Sequence, residues 1–218
     1  MKRFFHFASL AALALCLFLL AGCGTPRPQA TAPRPEGTLA IAGFTNPTNS
    51  WQLLAGYVPK EGAKPLSQEI LLRLDGTLQD TLNAHGVVGY KPAAITRQCQ
   101  DIVVFEEVGV PRMSAFKYWL GVGKCMAVEY LLVPQVIEWD ERQGGDMGVE
   151  APAAVVLDFF LINVKDETMI RAHFSETQES LTENIFKAKS FFKRGGKWVT
   201  AHELASEGID QKLTELGL

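Results

Sequence analysis

The sequence predicts a single domain of the α/β (α+β) class, a mixed β-sheet of about five strands packed with helices in the order β-α-β-α-β-β-β-α-α. Three observations predict it. Residues 153–164 form the strongest strand pattern in the chain, with a second strand pattern close behind at 169–178. Leu71, Leu74, Leu78 and Leu82 recur at helical spacing. Two capping boxes, Ser180 with Glu183 and Thr200 with Glu203, open helices near the end.

Taken in order, residues 39–44 are a short apolar run ended by Thr45-Asn46-Pro47, which suits a buried strand and a turn. A loop with Trp51 and Tyr57 follows. Ser67 is placed to cap the leucine-faced helix and Gly86 to end it, while Gly76 weakens its interior. Residues 87–90 read as a second strand. The stretch through Cys99 is poorly patterned. Ser114 then caps a shorter helix with Phe116, Trp119 and Leu120, loosened at its end by Gly121 and Gly123.

Residues 130–139 read as a strand in which Pro134, lacking an N–H, implies an edge or a bulge. The glycine-rich residues 140–148 form a loop. The strand patterns at 153–164 and 169–178 pair as a hairpin about the turn at 165–168. In the second, Ile170, Ala172 and Phe174 alternate with Arg171, His173 and Ser175, so one face is buried and the other wet. A basic turn at 194–197 separates the last two helices. The final helix buries Leu204, Ala205, Ile209, Leu213 and Leu216 before Gly217.

The N-terminus has its own grammar. Lys2 and Arg3 precede an almost unbroken apolar run over residues 4–20, the layout of a secretory signal peptide. The run closes on Leu20-Ala21-Gly22-Cys23, which resembles the lipobox of bacterial lipoproteins, where the cysteine thiol is acylated and the preceding bond is cut. Cys16 competes poorly because bulky Leu15 precedes it. An uncleaved anchor helix or a plain secretory signal are the alternative readings. The expected organisation is a signal peptide over residues 1–22, lipidated Cys23 with a Pro-rich tether to residue 37, and a periplasmic domain over residues 38–218.

Loss of Lys2 and Arg3 from the 21 basic residues leaves 19 against 24 acidic ones, a formal charge of −5. The two signs are interspersed, which excludes the clustered cations that nucleic acid demands. Cys99 and Cys125 are the thiols left to the domain, and an oxidising periplasm favours a disulfide between them over two separate buried cysteines.

The sequence names no catalytic residue, metal site or cofactor. Gly121-Val122-Gly123-Lys124 lacks the spacing of a phosphate loop, with Cys125 where Ser or Thr is needed. His202-Glu203 lacks a second histidine one turn on, where Ser206 stands, and Glu203 is explained by its cap. Asp140, Glu141, Asp146 and Glu150 do not follow a calcium-loop order. Asp158 in an apolar strand needs a partner, a shifted pKa or a place at the rim. No nucleophile elbow accompanies His85, His173 or His202. Trp51 and Tyr57 are the candidate partner-binding aromatics, whereas Trp119 suits the core.

Three features carry a resemblance: the opening strand with its Thr45-Asn46-Pro47 exit, the leucine-faced helix, and Tyr130-Leu131-Leu132-Val133 after a glycine-bearing helix. Together they resemble a group of envelope proteins comprising the curli-secretion lipoproteins, the lipoprotein activators of penicillin-binding proteins and the N-terminal domain of TolB. The hairpin from Val155 to Phe174 fits the same plan. The resemblance implies a docking or assembly module without catalytic residues. It departs from the pore-forming members in lacking a pair of long amphipathic membrane strands.

The expected function is therefore a membrane-anchored, non-catalytic interaction module whose partners are the membrane, through the lipid, and another envelope protein. A periplasmic enzyme or small-ligand-binding lipoprotein is the alternative. Gly24, in place of an aspartate after the lipidated cysteine, favours the outer membrane over the inner.

Overall fold

The computed structural model describes residues 32–55, 65–107, 110–145, 148–178 and 198–218. Cys23, the signal region, Tyr57, the Ser180 and Glu183 box and the turn at 194–197 lie outside them. In chain order the elements are β1 (Leu39–Ile41), a 3-10 turn (Ser50–Gln52), α1 (Gln68–Ala84), α2 (Ala93–Ile102), β2 (Glu106–Glu107), β3 (Val110–Pro111) and α3 (Ala115–Cys125). After them come β4 (Tyr130–Asp140), β5 (Gln143–Gly145), β6 (Gly148–Ala151), β7 (Ala154–Asn163), β8 (Thr168–Thr177) and α4 (Ala201–Glu215).

Among the described residues the main sheet is mixed and has four strands in the order β1-β4-β7-β8, and β2–β3 and β5–β6 form two short two-stranded ladders. β1 runs parallel to β4, and β4, β7 and β8 are antiparallel. β7 is the sheet's second interior strand, and its apolar run is unbroken except at Asp158 because both faces are covered. Val155, Leu157, Phe159 and Leu161 join the core under α1 and α4, while Phe160 and Ile162 join the core under α3.

Local capping chemistry sets the helices as the sequence predicts. The Ser67 and Ser114 side chains accept from Ile70 N and Lys117 N, and Thr200 and Glu203 cap reciprocally. The buried face of α1 is Leu74, Leu78 and Leu82, and α4 buries Leu204, Ala205, Ile209 and Leu213. Among the described residues no helix is long and apolar enough to cross a membrane.

Five local expectations are corrected. Residues 87–90 form no strand: Gly86 and Gly89 take φ of 70° and 76°, leaving one bridge between Ala40 and Lys91 on the β1 edge. The poorly patterned stretch contains α2, where Ile95, Cys99 and Ile102 fall at helical spacing but Ile95 and Ile102 are exposed and the buried residues are Thr96 and Cys99. Pro134 lies in an interior strand. Its missing donor faces residues 42–45, where the chain bows away from β4 and returns through Thr45 N to Pro134 O at 3.2 Å and Val136 N to Thr45 O at 2.8 Å. The bulge falls further on, between Val136 and Glu138. Ile170 is 54% exposed although Ala172 and Phe174 are buried, since it sits on an edge strand near the hairpin turn.

Residues 140–148, expected as a loop, also contribute to the β5–β6 ladder. Cys99 and Cys125 are joined by a disulfide with Cα atoms 5.8 Å apart, stitching α2 to the end of α3. Beyond that bond, α2 is held by Thr96 Oγ1 donating to Ile41 O at 2.8 Å and by the Arg97–Asp75 ion pair at 3.0 Å.

Candidate functional site

A row of polar residues crosses the sheet at one level. Thr45 bridges to Gln135, Gln135 pairs with Asp158, and Asp158 pairs with His173. Directly opposed residues share a face, so the row lies on the side that α3 packs against. Gln135 and Asp158 are each 1% exposed, so both need partners.

Gln135 finds them in the loop above it. Its Oε1 accepts from Leu54 N at 3.3 Å and its Nε2 donates to Gln52 O at 3.2 Å. Gln52 in turn accepts from Thr48 N at 2.9 Å and Asn49 N at 3.0 Å. One buried carboxamide therefore pins the Ser50–Gln52 turn, and the turn carries Trp51.

Trp51 is half-buried and leans on Phe105 with ring centroids 5.3 Å apart. Phe105 stacks on Tyr118 at 4.7 Å, and Tyr118 meets Trp119 edge-on at 5.0 Å. The four rings form a ladder from the core, where Trp119 is 4% exposed, to the surface at Trp51. Beside it lies a cleft of about 170 Å³ between the turn, α2 and α3, floored by Thr45 and Gln135 and walled by Gln52, Gln100, Tyr118 and Trp119. Burial raises the Tyr118 pKa above its ordinary value, against a hydrogen bond with the Gln100 side chain, so the phenol stays neutral.

The outer end of the row is an ion-paired knot. Arg171 Nε and Nη2 reach Asp158 Oδ1 and Oδ2, each at 2.9 Å, and His173 Nδ1 lies 2.8 Å from Oδ1. Asp158 thus has the partners its sequence context demanded, in an interior strand and not at the rim. His202 lies elsewhere, with Nε2 3.1 Å from Thr77 Oγ1 on α1. A carboxylate-oriented histidine and a hydroxyl-paired histidine therefore sit on opposite faces of the sheet, so they do not combine into one relay.

The remaining motifs take structural roles. Gly121 and Gly123 lie inside α3, and a Cβ on Gly123 would come within 2.6 Å of Val164, so the glycine permits close helix-to-sheet packing. Glu141 accepts from Trp139 Nε1 at 3.1 Å and Ala201 N at 3.3 Å. Hydrogen bonding from Thr200 N lowers the Glu203 pKa, as its cap role requires. Among the described residues no group of three His, Cys, Asp or Glu is placed to hold a metal ion. A second groove, about 290 Å³ between α1 and α2, contains Asp75, whose pKa burial raises although Phe44 N and Arg97 oppose this. Sequence reasoning missed Thr45, Gln52, Gln100, Phe105 and Arg171. Gln135, an amide inside an apolar strand, was the one available signal.

No family model and no curated protein matches the chain. Solved structures are similar in fold. The PelC dodecamer from Paraburkholderia phytofirmans is 15% identical, with a TM-score of 0.45, over 88% of this chain and 94% of that one. The LpoB C-terminal domain from Salmonella enterica is 14% identical, with a TM-score of 0.38, over 69% and 89%. Lipoprotein GNA1162 from Neisseria meningitidis is 8% identical, with a TM-score of 0.39, over 73% and 98%. The similar structures thus include the LpoB C-terminal domain and a lipoprotein. At these identities the likeness concerns the fold alone.

Proposed function

We propose that the chain is a membrane-tethered interaction module of the bacterial envelope without a catalytic role. Residues 1–22 are removed, Cys23 is acylated, and residues 24–31 span the gap between an outer-membrane lipid and the periplasmic domain, since Ala32 N donates to Glu215 O at 2.9 Å and Arg34 Nη2 to His85 O at 3.0 Å, which holds the last part of the expected tether against the domain. Proline-rich tethers extend by about 3 Å per residue where polyproline geometry persists, so the domain reaches well beyond the headgroups while staying concentrated near them. The partner is another envelope protein, met by Trp51 and by Tyr57 in the same loop.

The observation that carries this reading is Trp51. Its indole rests on Phe105, and its turn is fixed from below by Gln135, so a large aromatic surface is presented with little freedom left to lose. Rigid, partly exposed aromatics are the residues from which interfaces draw most of their energy. The separation of the Asp158–His173 pair from the Thr77–His202 pair supports a role other than catalysis.

A photocrosslinking residue at position 51 tests the docking surface in intact envelopes, with position 88, at the 81% exposed Val88, as the control. A discrete adduct at 51 and none at 88 is expected, and equal yields at both sites would refute the Trp51 surface. Palmitate labelling of Cys23→Ser tests the anchor independently: label must disappear and the uncleaved precursor must accumulate.

A further inference from the structure

The chain touches the domain before its first strand begins. Ala32 N donates to Glu215 O, at the end of α4, and Arg34 Nη2 donates to His85 O, just past the end of α1. Among the described residues these two hydrogen bonds are what hold residues 32–36 to the helices. Pro33 and Pro35 have no N–H to give, and Pro33, Arg34 and Glu36 are exposed.

Two glycines shape the path of this strap. Gly217, with φ of 76°, is where it crosses: a Cβ there would come within 2.5 Å of Ala32 O and 2.8 Å of Pro33 O, main-chain atoms that cannot swing aside. Gly37, with φ of 146°, is the pivot into β1, where a Cβ would collide with the Glu129 carboxylate. The pivot is held firmly, because Glu129 Oε2 accepts from Thr38 N at 2.9 Å and Glu129 N donates to Thr38 O at 3.1 Å. β1 behind it is paired with β4. The hold on the chain therefore drops sharply on the N-terminal side of Gly37.

A net hydrogen bond shifts a population by up to roughly tenfold. Ordering the strap opposes the two bonds, although Pro33 and Pro35 restrict the free chain in advance and reduce that cost. The balance leaves docking favoured by roughly ten- to a hundredfold, so the strap opens without the domain unfolding.

We propose that residues 32–37 are a releasable clasp that sets the reach of the domain. Docked, it leaves residues 24–31 as the free tether. Undocked, it adds six residues, roughly 20 Å at about 3 Å per residue. The gain in reach rests on the Cys23 anchor, whereas the docking equilibrium does not.

Amide exchange in the full-length lipoprotein, held in detergent and read by NMR, measures docking directly at Ala32. Its N–H should be protected roughly ten- to a hundredfold, far less than the amides of β7. Gly217→Ala should abolish that protection. Gly89→Ala is the matched control: Gly89 has the same φ of 76° but nothing within 4 Å of an added Cβ, so Ala32 should stay protected. Arg34→Ala should lower protection by up to roughly tenfold while the amides of Leu213 and Leu216 keep theirs, and it carries the test alone if Gly217→Ala frays α4. An unprotected Ala32 in the wild type, protection as deep as that of β7, or protection untouched by Arg34→Ala would overturn the clasp. On a supported bilayer, neutron reflectometry should place the Gly217→Ala domain higher than the wild type by up to about 20 Å. Equal heights in proteins that both take up palmitate would overturn the role in reach, whereas a wild type that takes up no palmitate would sink the anchor and leave the exchange result standing.

Discussion

Arg171 clamps Asp158 with two parallel hydrogen bonds of 2.9 Å, joining a half-exposed guanidinium to a carboxylate that is 1% exposed. Such a pair contributes less by forming than it costs to break, because removing the cation leaves a buried charge without compensation. Arg171→Met should therefore destabilise the domain by about 2–3 kcal/mol, the partial exposure of Arg171 and the nearby His173 moderating the loss. Asp158→Asn combined with Arg171→Met should recover much of it. Urea midpoints of the single and double variants measure both effects, and equal losses in the two proteins would refute the account.

The disulfide closes a separation of 26 residues and is the main restraint on α2, whose buried residues are only Thr96 and Cys99. Chain-entropy arguments give about 3–4 kcal/mol for a loop of this length. Reduction, or Cys99→Ser with Cys125→Ser, should lower stability by that order. Amide exchange should accelerate first in Ala93–Ile102 and leave β7 protected, because β7 lies between β4 and β8.

What the sequence revealed and what it hid divide along physical lines. Capping is chemistry between residues three apart, so Ser67, Ser114 and Thr200 announce their helices locally. β7 is legible because burial on both faces writes a continuous apolar run. α2 carries only a short helical spacing of its own, Ile95, Cys99 and Ile102, and its place is fixed by a disulfide, one threonine and one ion pair to distant segments. The cleft is hidden for the same reason: Thr45 and Gln135 meet across 90 positions, and no local pattern records that meeting. Trp51 stands out in a polar loop, but the Phe105 beneath it does not.

His85 links α1 to the end of the chain. Its pKa is raised, first by the hydrogen bond to Leu218 O at 2.8 Å and then by Asp210 Oδ1 at 2.8 Å, against opposing effects of burial and Arg34. A group whose folded pKa lies above its unfolded value contributes stability that is complete below the unfolded value, here 6.5, and is lost as pH rises through the folded value. The stability advantage of the wild type over His85→Gln should accordingly be largest in mildly acid buffer and fade as pH rises past that value. An NMR titration of the imidazole locates the midpoint, and an advantage that grows with pH would contradict the assignment.

Two glycines in helices should respond to alanine with opposite signs. Gly76 lies in the exposed middle of α1, where an added Cβ would have nothing within 4 Å. Gly76→Ala should stabilise by about 1 kcal/mol, the ordinary helix-propensity difference. Gly208 lies in α4 against β8, and a Cβ there would approach the Phe174 ring to 2.6 Å. Phe174 is buried, so its ring cannot swing aside without shifting the helix, and Gly208→Ala should cost about 1–3 kcal/mol. Phe174→Leu in the Gly208→Ala background separates contact from propensity. If the ring is the obstacle, the second substitution recovers stability that it would lose on its own, and thermal unfolding of the four proteins in the cycle decides it.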